Sequence, residues 1–441
     1  MYDIIIIGAG TAGISAYKEA VKYTSNLLII NKGPWDTTCV RVGCMPSKVL
    51  ISTANRMHDI QHADEVALSV QSEINTDRVM QHVQNLRDRF ARATLKDVES
   101  WEEKHKIDGE AKFINAHTVE VNGQQYQAKI LGINSSHPMK SFELKTLPKS
   151  IAVIGSGVIA IELAQAMHRL GVNTTIFARS KKVGVLTSPS LQAIAQTTLS
   201  KELDIKFEIL PNSIEDTEHG VAVSFLENDE SNTIQVDYVL TATGRSSNLS
   251  TLALENIDAS FSDLKNLPIH QATKQLANFP IFIVGDAFTQ TPLQHEAAHE
   301  GRNVVSSCLN FPKIQDLNTL APLGIVFCSP EMGMVGQNYA ALSKSNIEFI
   351  TGFVSYEKQG RALVLGKNKG AIEVYVDKKT RKLLGAELFV ESAEHMAHLL
   401  SWMIAEDLTI DEILSKPFYH PTLEEGIRTA LKHARRQLNL R

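Results

Sequence analysis

Ile4-Ile5-Ile6-Ile7-Gly8-Ala9-Gly10-Thr11-Ala12-Gly13 stands almost at the start of the chain and decides its first folding unit. The isoleucine run is typical of a buried parallel strand, and a helical pattern follows the glycines. Gly8, Gly10 and Gly13 allow a tight turn and close backbone approach, and the helix start would receive a pyrophosphate. With a second strand over residues 27–30, the stretch predicts a βαβ dinucleotide site. A strand-to-helix turn without a ligand is the alternative.

A second fingerprint follows another apolar strand, predicted over residues 151–154. Gly155-Ser156-Gly157-Val158-Ile159-Ala160 repeats the spacing, with Ala160 in the last glycine's place, and Gly171 is expected to end the helix that follows. Two fingerprints in one chain are much more specific than one. They imply two dinucleotides, the second a nicotinamide, and they predict an α/β fold with two Rossmann-like domains.

The acid that usually ends the second strand of such a unit is missing twice. Asn31 holds the position in the first unit, and Ala178 holds it in the second. Asparagine can still hydrogen-bond to a ribose, but without charge. Arg179, Lys181 and Lys182 follow Ala178 and could accept a 2′-phosphate, although a solvated basic loop explains them equally well. The choice between NAD and NADP therefore stays open.

Thr37-Thr38-Cys39-Val40-Arg41-Val42-Gly43-Cys44-Met45-Pro46-Ser47-Lys48 carries two closely spaced cysteines. Pro46 and the apolar pattern after it predict a helix that starts near Cys44. The unpaired N–H groups and the dipole at a helix start favour a thiolate and lower a cysteine pKa. Cys39 and Cys44 therefore match a redox-active disulfide, with two structural thiols as the alternative.

The composition describes an ordinary globular protein of about three domains. Its 441 residues are 43% hydrophobic and 21% charged, and the formal net charge of −5 argues against nucleic acid as the main partner. The start lacks the basic region of a signal peptide, and no apolar run approaches the ~20 residues of a membrane span. Four cysteines, including Cys308 and Cys328, form no disulfide framework, so we expect a reducing cytoplasm.

The segment from Cys39 to Lys48 closely resembles the active-site segment of the pyridine nucleotide-disulfide oxidoreductases, above all that of the dihydrolipoamide dehydrogenases. The resemblance extends over nearly the whole chain. It implies an FAD domain in two parts (residues 1–144 and 266–318), an inserted NAD(P) domain (145–265) and a C-terminal α+β dimerisation domain (319–441). Within this frame residues 47–60 and 76–104 are predicted to be long helices, and 107–131 a small antiparallel meander.

The resemblance also assigns roles to single residues. Phe418-Tyr419-His420-Pro421-Thr422-Leu423-Glu424-Glu425 is similar to the family's catalytic motif, in which His420 is the base and Glu425 orients it. Lys48 and Glu162 match an ion pair near the flavin, and Asp286 matches the residue that binds the ribityl chain of FAD. Gly244 lies in Ala242-Thr243-Gly244-Arg245, the family's return from the NAD(P) domain. Metal ligands are not part of this set.

The reaction that the resemblance implies transfers electrons from dihydrolipoamide through a Cys39–Cys44 disulfide and FAD to NAD(P)⁺. His420 would serve the disulfide of the other subunit, which makes the active unit a homodimer. The other partner would be a small dithiol, a disulfide or a lipoyl domain, without nucleic acid or membrane. An NADPH-dependent reductase of the glutathione reductase type is an alternative.

Three departures from the family concern the seating of FAD. They are Asn31, the segment Gly132-Ile133-Asn134-Ser135 in place of the family's Ala-Thr-Gly-Ser, and a short connector over residues 136–149. A degenerate, flavin-poor protein kept for binding or assembly is therefore a further alternative. An enzyme with relaxed FAD contacts is favoured, because one charge-assisted hydrogen bond contributes only ~1.5–3 kcal/mol among many contacts.

Overall fold

The computed structural model describes residues 1–133, 142–244, 247–288 and 292–439. Two compact units account for the chain. The first consists of Met1–Pro46, His82–Glu143 and Gly244–Leu320, and the second of Ser47–Gln81, Leu144–Thr243 and Ala321–Arg441. The predicted domain boundaries at 144, 265 and 318 remain predictions. Among the described residues, no helix combines the length and apolar character needed to cross a bilayer.

The α-helices of the described residues alternate with strands along most of the chain. In chain order they are α1 Thr11–Ala20, α2 Thr38–Val42, α3 Cys44–Gln61, α4 Thr76–Glu99, α5 Val158–Arg169, α6 Pro189–Leu199, α7 Gln294–Asn310, α8 Tyr339–Lys344, α9 Gly360–Val364, α10 Ala393–Ala405, α11 Ile410–Leu414 and α12 Glu425–Asn439. The prediction that a helix starts near Cys44 is confirmed, and the predicted helix over 76–104 ends earlier, at Glu99.

A seven-stranded sheet forms the centre of the first unit, in the order β3-β2-β1-β6-β5-β4, with β14 beside β6. Its strands are β1 Tyr2–Ile7, β2 Leu27–Asn31, β3 Lys106–Asp108, β4 Lys112–Asn115, β5 Thr118–Val121, β6 Gln124–Ile133 and β14 Ile281–Ile283. β1 pairs in parallel with β2 and β6, which places the glycine loop after β1 at the carboxyl edge of the sheet. The four isoleucines of β1 are buried, as expected for a strand covered on both faces.

The predicted meander is only partly correct. β4, β5 and β6 pair antiparallel, and Asn122 and Gly123 form the tight turn between β5 and β6 with φ of +50° and +77°. Residues 106–108, however, pair in parallel with β2 and extend the dinucleotide-binding sheet. The strand is too short for its periodicity to show which neighbour it will have.

The second unit contains another parallel sheet, in the order β13-β7-β8-β9, and a separate antiparallel sheet of three strands. The parallel strands are β7 Ser150–Ile154, β8 Asn173–Ala178, β9 Asp204–Phe207 and β13 Tyr238–Thr241, and the antiparallel ones are β10 Pro211–Thr217, β11 Gly220–Glu227 and β12 Glu230–Val236. Gly171 ends the helix before β8 with φ of +85°, as predicted. The fold class of two Rossmann-like sheets in an α/β protein is thereby confirmed.

The C-terminal part of the second unit is a five-stranded antiparallel sheet, in the order β15-β16-β19-β18-β17. The strands are β15 Leu323–Val326, β16 Glu331–Gly336, β17 Phe349–Ser355, β18 Ala371–Asp377 and β19 Leu383–Val390. Helix α12 packs on this sheet through Ile427, Ala430, Leu431 and Ala434, all fully buried at apolar helical spacing. This is the separate α+β block predicted for the C-terminus.

Candidate active site

The cysteine segment folds into two helices separated by one glycine. Cys39 is half-buried in the short helix α2, and Cys44 is exposed at the first position of α3. A Cβ on Gly43 would lie 3.1 Å from the carbonyl oxygen of Thr38 and 3.3 Å from Cα of Cys39. Gly43 thus packs directly on the backbone of Cys39, and Cys44 is the next residue along the chain.

The 18-residue helix α3 gives Cys44 an electrostatic setting suited to a thiolate. Cys44 belongs to the first turn of α3, where the positive end of the helix dipole favours an anion, and the residue is exposed. That Cys39 and Cys44 form a reactive thiol pair stays a prediction.

Lys48 and Glu162 come together as the sequence suggested. The Lys48 ammonium lies 2.8 Å from Oε2 of Glu162 and 4.7 Å from the ring centroid of Phe327. Glu162 is 3% exposed, and its other oxygen accepts a hydrogen bond from the backbone N–H of Phe327 at 2.9 Å. A carboxylate so deeply buried is stable because both of its oxygens have strong donors. The contribution of Phe327 was not foreseen from the sequence.

The first glycine loop leaves the start of α1 open to a ligand. Gly8 has φ of +97°, and Gly10, the cap residue of α1, offers no side-chain hydrogen bond to the helix. The N–H groups of the first turn are therefore available to a pyrophosphate. At Gly301 on α7 a Cβ would lie 2.2 Å from the Ala12 carbonyl oxygen, so this glycine allows α7 to pack tightly on α1.

Asn31 is tied into the same loop. Its Oδ1 accepts a hydrogen bond from the Ala9 N–H at 2.9 Å, and its Nδ2 donates to the carbonyl oxygens of Gly33 and Pro34 at 3.0 and 3.1 Å. Both amide hydrogens are thus used within the protein, and only one lone pair of Oδ1 remains for a ribose hydroxyl. Asn31 braces the loop, while the charge that an acid would offer the ribose is absent.

Asp286 lies directly after β14, in a single 3₁₀ turn over Gly285–Ala287. The backbone N–H of Gly285 donates to Oε2 of Glu300 on α7 at 2.7 Å, and Lys274 pairs with the other oxygen of Glu300 at 2.8 Å. Glu300 therefore fixes the turn that presents Asp286. Asn134 and Ser135 of the predicted flavin contact lie outside the described residues, as does Arg245.

The second glycine loop has the same construction. Gly155 has φ of +122°, and a Cβ there would lie 2.5 Å from the Ala242 carbonyl oxygen, so only glycine fits. Gly157 caps α5 without a side-chain hydrogen bond, and Ala160 is fully buried in the first turn. Gly244 also has a left-handed φ, +123°. This loop, too, leaves helix N–H groups available to a phosphate.

Arg179 follows the buried end of β8 and is exposed. Lys181, two residues on, pairs with Glu208 at 3.5 Å. Within the described part of the chain, Arg179 has no hydrogen bond or ion pair. The Lys182 ammonium likewise has no hydrogen bond or ion pair there, so Arg179 and Lys182 are the basic side chains of this loop that are left available to a ligand.

His420 and Glu425 also come together. Nδ1 of His420 lies 3.0 and 3.2 Å from the two oxygens of Glu425, and the Thr422 N–H donates to Oε2 of Glu425 at 3.2 Å. Because Nδ1 faces the carboxylate, the proton resides there and Nε2 carries the lone pair. The His420 side chain is 82% exposed, so Nε2 is accessible to a substrate proton.

Two side chains that the sequence did not single out hold this motif. The buried Tyr356 donates to the Leu423 carbonyl oxygen at 2.6 Å, and Nε2 of Gln359 donates to that of Thr422 at 2.7 Å. A Cβ on Gly426 would lie 2.1 Å from the Tyr356 hydroxyl oxygen, so the glycine makes room for this anchor. Tyr356 and Gln359 both follow strand β17, so the segment after this strand holds the loop that carries His420.

Comparison with known families decides the classification. A family model described as "Pyridine nucleotide-disulphide oxidoreductase" matches residues 2–301, and the dimerisation domain of the same family matches residues 323–431. This chain belongs to the pyridine nucleotide-disulphide oxidoreductases. Like its family, it is an FAD-dependent oxidoreductase that works with NAD(P)H, and its C-terminal block is the family's dimerisation domain.

Several members of the family align over almost the full chain. The dihydrolipoyl dehydrogenase of Geobacillus stearothermophilus is 28% identical over 96% of this chain and 94% of its own length. A mercuric reductase of Staphylococcus aureus is 27% identical over 97% of this chain and 82% of its own length. Among solved structures, LpdA from Mycobacterium tuberculosis superposes with a TM-score of 0.83 at 19% identity, covering 98% of this chain and 99% of LpdA.

A second solved structure has the same fold but a different description. The HOCl-induced flavoprotein disulfide reductase RclA from Escherichia coli superposes with a TM-score of 0.80 at 20% identity, covering 98% of this chain and 99% of RclA. At this identity the likeness shows the fold alone. The family is shown by the matches of the two family models, over residues 2–301 and 323–431.

The first glycine loop fits the FAD of this family. Gly8 has a left-handed φ, and the start of α1 at Gly10 carries no side-chain cap, so the first-turn N–H groups can receive a pyrophosphate. Gly10, Gly13 and Asp286 complete the set of residues that would hold the cofactor. Asn31 lacks the charge of an acid but holds the loop through Ala9, so the residues present suit FAD.

Proposed function

We propose that this flavoprotein is a dihydrolipoamide dehydrogenase, which oxidises a dithiol through a Cys39–Cys44 disulfide. The observation that carries the proposal is the His420–Glu425 pair, whose geometry leaves Nε2 of His420 as an accessible base. Cys39 in α2 and Cys44 at the start of α3 supply the two thiols of the disulfide that this base would serve. Full-length similarity to dihydrolipoyl dehydrogenases supports this choice of substrate.

The first half of the reaction is a thiol–disulfide exchange. Nε2 of His420 takes a proton from one thiol of the substrate, and the sulfur so formed attacks Sγ of Cys39. The Cys39–Cys44 bond breaks, and Cys44 leaves as a thiolate that the start of α3 stabilises. Glu425 stabilises the imidazolium during this step because its carboxylate accepts a hydrogen bond from the Nδ1–H of His420.

The second thiol of the substrate then completes its own disulfide. Its sulfur loses a proton to solvent and attacks the substrate sulfur bound to Cys39, which releases Cys39; His420 returns its proton to that sulfur. Two thiols have been oxidised and one disulfide has been reduced. FAD, which Gly8, Gly10, Gly13 and Asp286 would hold, would supply the two-electron chemistry that links this dithiol to NAD(P)⁺.

The homodimer belongs to the same proposal. The dimerisation-domain match and the exposed His420, Tyr419 and Trp402 support a working unit in which His420 serves the disulfide of the partner subunit.

Cytoplasmic localisation is proposed because the Cys308 and Cys328 thiols are buried singly and burial raises the pKa of both.

Substrate competition tests the proposal directly. We expect kcat/KM for dihydrolipoamide to exceed that for oxidised glutathione by well over tenfold, with activity lost in His420→Gln at unchanged flavin content. The visible spectrum of the same samples shows whether flavin is bound. A clear preference for glutathione would favour the reductase alternative, and a colourless protein that takes up no added FAD would favour the flavin-poor one.

A further inference from the structure

Helix α5 carries three buried polar residues on one face, although the rest of its surface is mostly apolar. Glu162, Gln165 and Arg169 are 3%, 2% and 4% exposed and follow the i, i+3, i+7 spacing of a single stripe. Groups of this kind are costly to bury unless each is bonded. Their partners lie in three other segments of the second unit: α3, residues 327–329 and Glu202.

Two contacts join α5 to α3. Glu162 bonds Lys48, and NH1 of Arg169 donates to Oδ1 of Asn55 at 2.7 Å. Lys48 and Asn55 are seven residues apart, and so are Glu162 and Arg169. The helices therefore run in the same direction at this junction, with contacts two turns apart, about 10 Å along each axis.

The Arg169 guanidinium is itself held rigidly. Its Nε and NH2 bond the two oxygens of Glu202 at 2.5 and 3.0 Å, and Glu202 also accepts Nε2 of Gln165 at 2.9 Å. Gln165 binds both backbone groups of Ser329, accepting its N–H at 2.7 Å and donating to its carbonyl oxygen at 2.8 Å. NH2 of Arg169 also donates to the Ser329 carbonyl oxygen at 3.4 Å, so three of the four hydrogen bonds of Arg169 do not involve α3 and hold its side chain in place.

We propose that Asn55 and Arg169 are positioning residues. Their hydrogen bond fixes the register of α3 on α5, holds Lys48 on Glu162, and thereby sets the position of Cys44 in the first turn of α3. The inference rests on the proposed disulfide chemistry. Among the polar contacts between α3 and α5 that the described residues make, only that of Lys48 would remain without the bond at Asn55, so the register farther along α3 would lose its polar tie. A displacement of about 1 Å at reacting groups can cost about a hundredfold in rate.

Neighbouring His58 supports the close docking of α3. Burial lowers the pKa of His58 to about 4, and the charge of Arg169 acts in the same direction. The half-buried His58 imidazole lies one turn beyond Asn55 on α3, within the electrostatic reach of Arg169. Loosening of α3 would expose His58 and raise its pKa toward the ordinary value, which gives a readout independent of turnover.

The experiment compares three variants of the full-length, FAD-loaded protein. Asn55→Leu removes the acceptor, Asn55→Asp keeps an oxygen acceptor for Arg169, and Ser52→Ala changes an exposed residue of the same helix. Two activities are measured: dihydrolipoamide oxidation, which needs the thiols, and the oxidation of NADH and of NADPH by ferricyanide, which needs only flavin and nicotinamide. The His58 titration is followed by NMR.

For Asn55→Leu we expect at least a tenfold loss of dihydrolipoamide turnover, ferricyanide reduction within about twofold of wild type, and a raised His58 pKa. Asn55→Asp and Ser52→Ala should keep both wild-type activities, and Ser52→Ala should also keep the wild-type His58 pKa. The added carboxylate of Asn55→Asp itself raises the His58 pKa, so only the two activities are compared for that variant. Equal loss of both activities in Asn55→Leu, or no loss in either, overturns the positioning role. A wild-type protein that reduces ferricyanide but does not turn over dihydrolipoamide would instead refute the proposed substrate, and the His58 titration would still test the register.

Discussion

At the scale of single residues, we predict that the choice of nicotinamide depends on Arg179. Ala178 supplies no carboxylate for a ribose hydroxyl, and the exposed Arg179 follows it without an ion pair in the described part of the chain. We therefore expect Arg179→Ala to raise KM for NADP⁺ about tenfold or more, since a charge-assisted hydrogen bond contributes ~1.5–3 kcal/mol. KM for NAD⁺ should change less than about twofold.

Lys181→Ala is the matched control for Arg179, because Lys181 lies in the same loop but is paired with Glu208. It should alter KM for NADP⁺ much less than Arg179→Ala does. Steady-state kinetics at saturating dithiol gives KM for NAD⁺ and KM for NADP⁺ in each of the two variants. A parallel rise of both KM values in Arg179→Ala would mean that the side chain contacts a part common to both nucleotides.

At the scale of secondary-structure elements, α3 makes stability dependent on pH through His58. The folded protein keeps His58 neutral down to about pH 4, whereas the unfolded chain binds a proton below the ordinary value of 6.5. The contribution of His58 to stability is therefore complete above pH 6.5 and is lost as the pH falls toward 4. The charged or titratable groups facing it are Arg169, Glu202, His62 and Lys367.

His58→Gln should accordingly lose less thermal stability than wild type between pH 7.5 and pH 5. The unfolding midpoint is measured at both values, at equal flavin content. His219→Gln, at an exposed turn, serves as the control and should keep the wild-type difference. An identical drop in His58→Gln and wild type would show that other groups dominate the acid side of the stability profile.

The sequence predicted elements whose determinants are local and missed those that depend on distant partners. Both glycine loops, the helix at Cys44 and the stop at Gly171 follow from residue types at fixed spacing. The parallel pairing of residues 106–108 and the loop-bracing role of Asn31 depend on residues far along the chain. The stripe Glu162, Gln165 and Arg169 was visible as polar residues in an apolar helix, but its partners at Asn55 and Ser329 were not.

At the scale of the whole molecule, the proposed dimer makes a test by mixed subunits possible. A Cys44→Ser subunit keeps His420, and a His420→Gln subunit keeps the thiol pair. If His420 serves the partner's disulfide, a heterodimer of the two has one complete site and should show about half of wild-type activity, although each parent is inactive.

Two different affinity tags allow the heterodimer to be isolated after co-expression. Flavin content of both parents confirms that the variants fold. A heterodimer as inactive as its parents would place the thiols and His420 of one site in the same chain. Sedimentation of an active monomer would reach the same conclusion by another route.

The paired seven-residue intervals between α3 and α5 also restrict how these helices can evolve. One inserted or deleted residue between Lys48 and Asn55 would turn everything downstream by about 100° and shift it by about 1.5 Å, which would separate Asn55 from Arg169. The same holds between Glu162 and Arg169. Descendants of this chain can lengthen the loops around the two helices, but within these intervals they can change only by substitution, so the 48–55 and 162–169 spacings are expected to outlast the identities of most residues inside them.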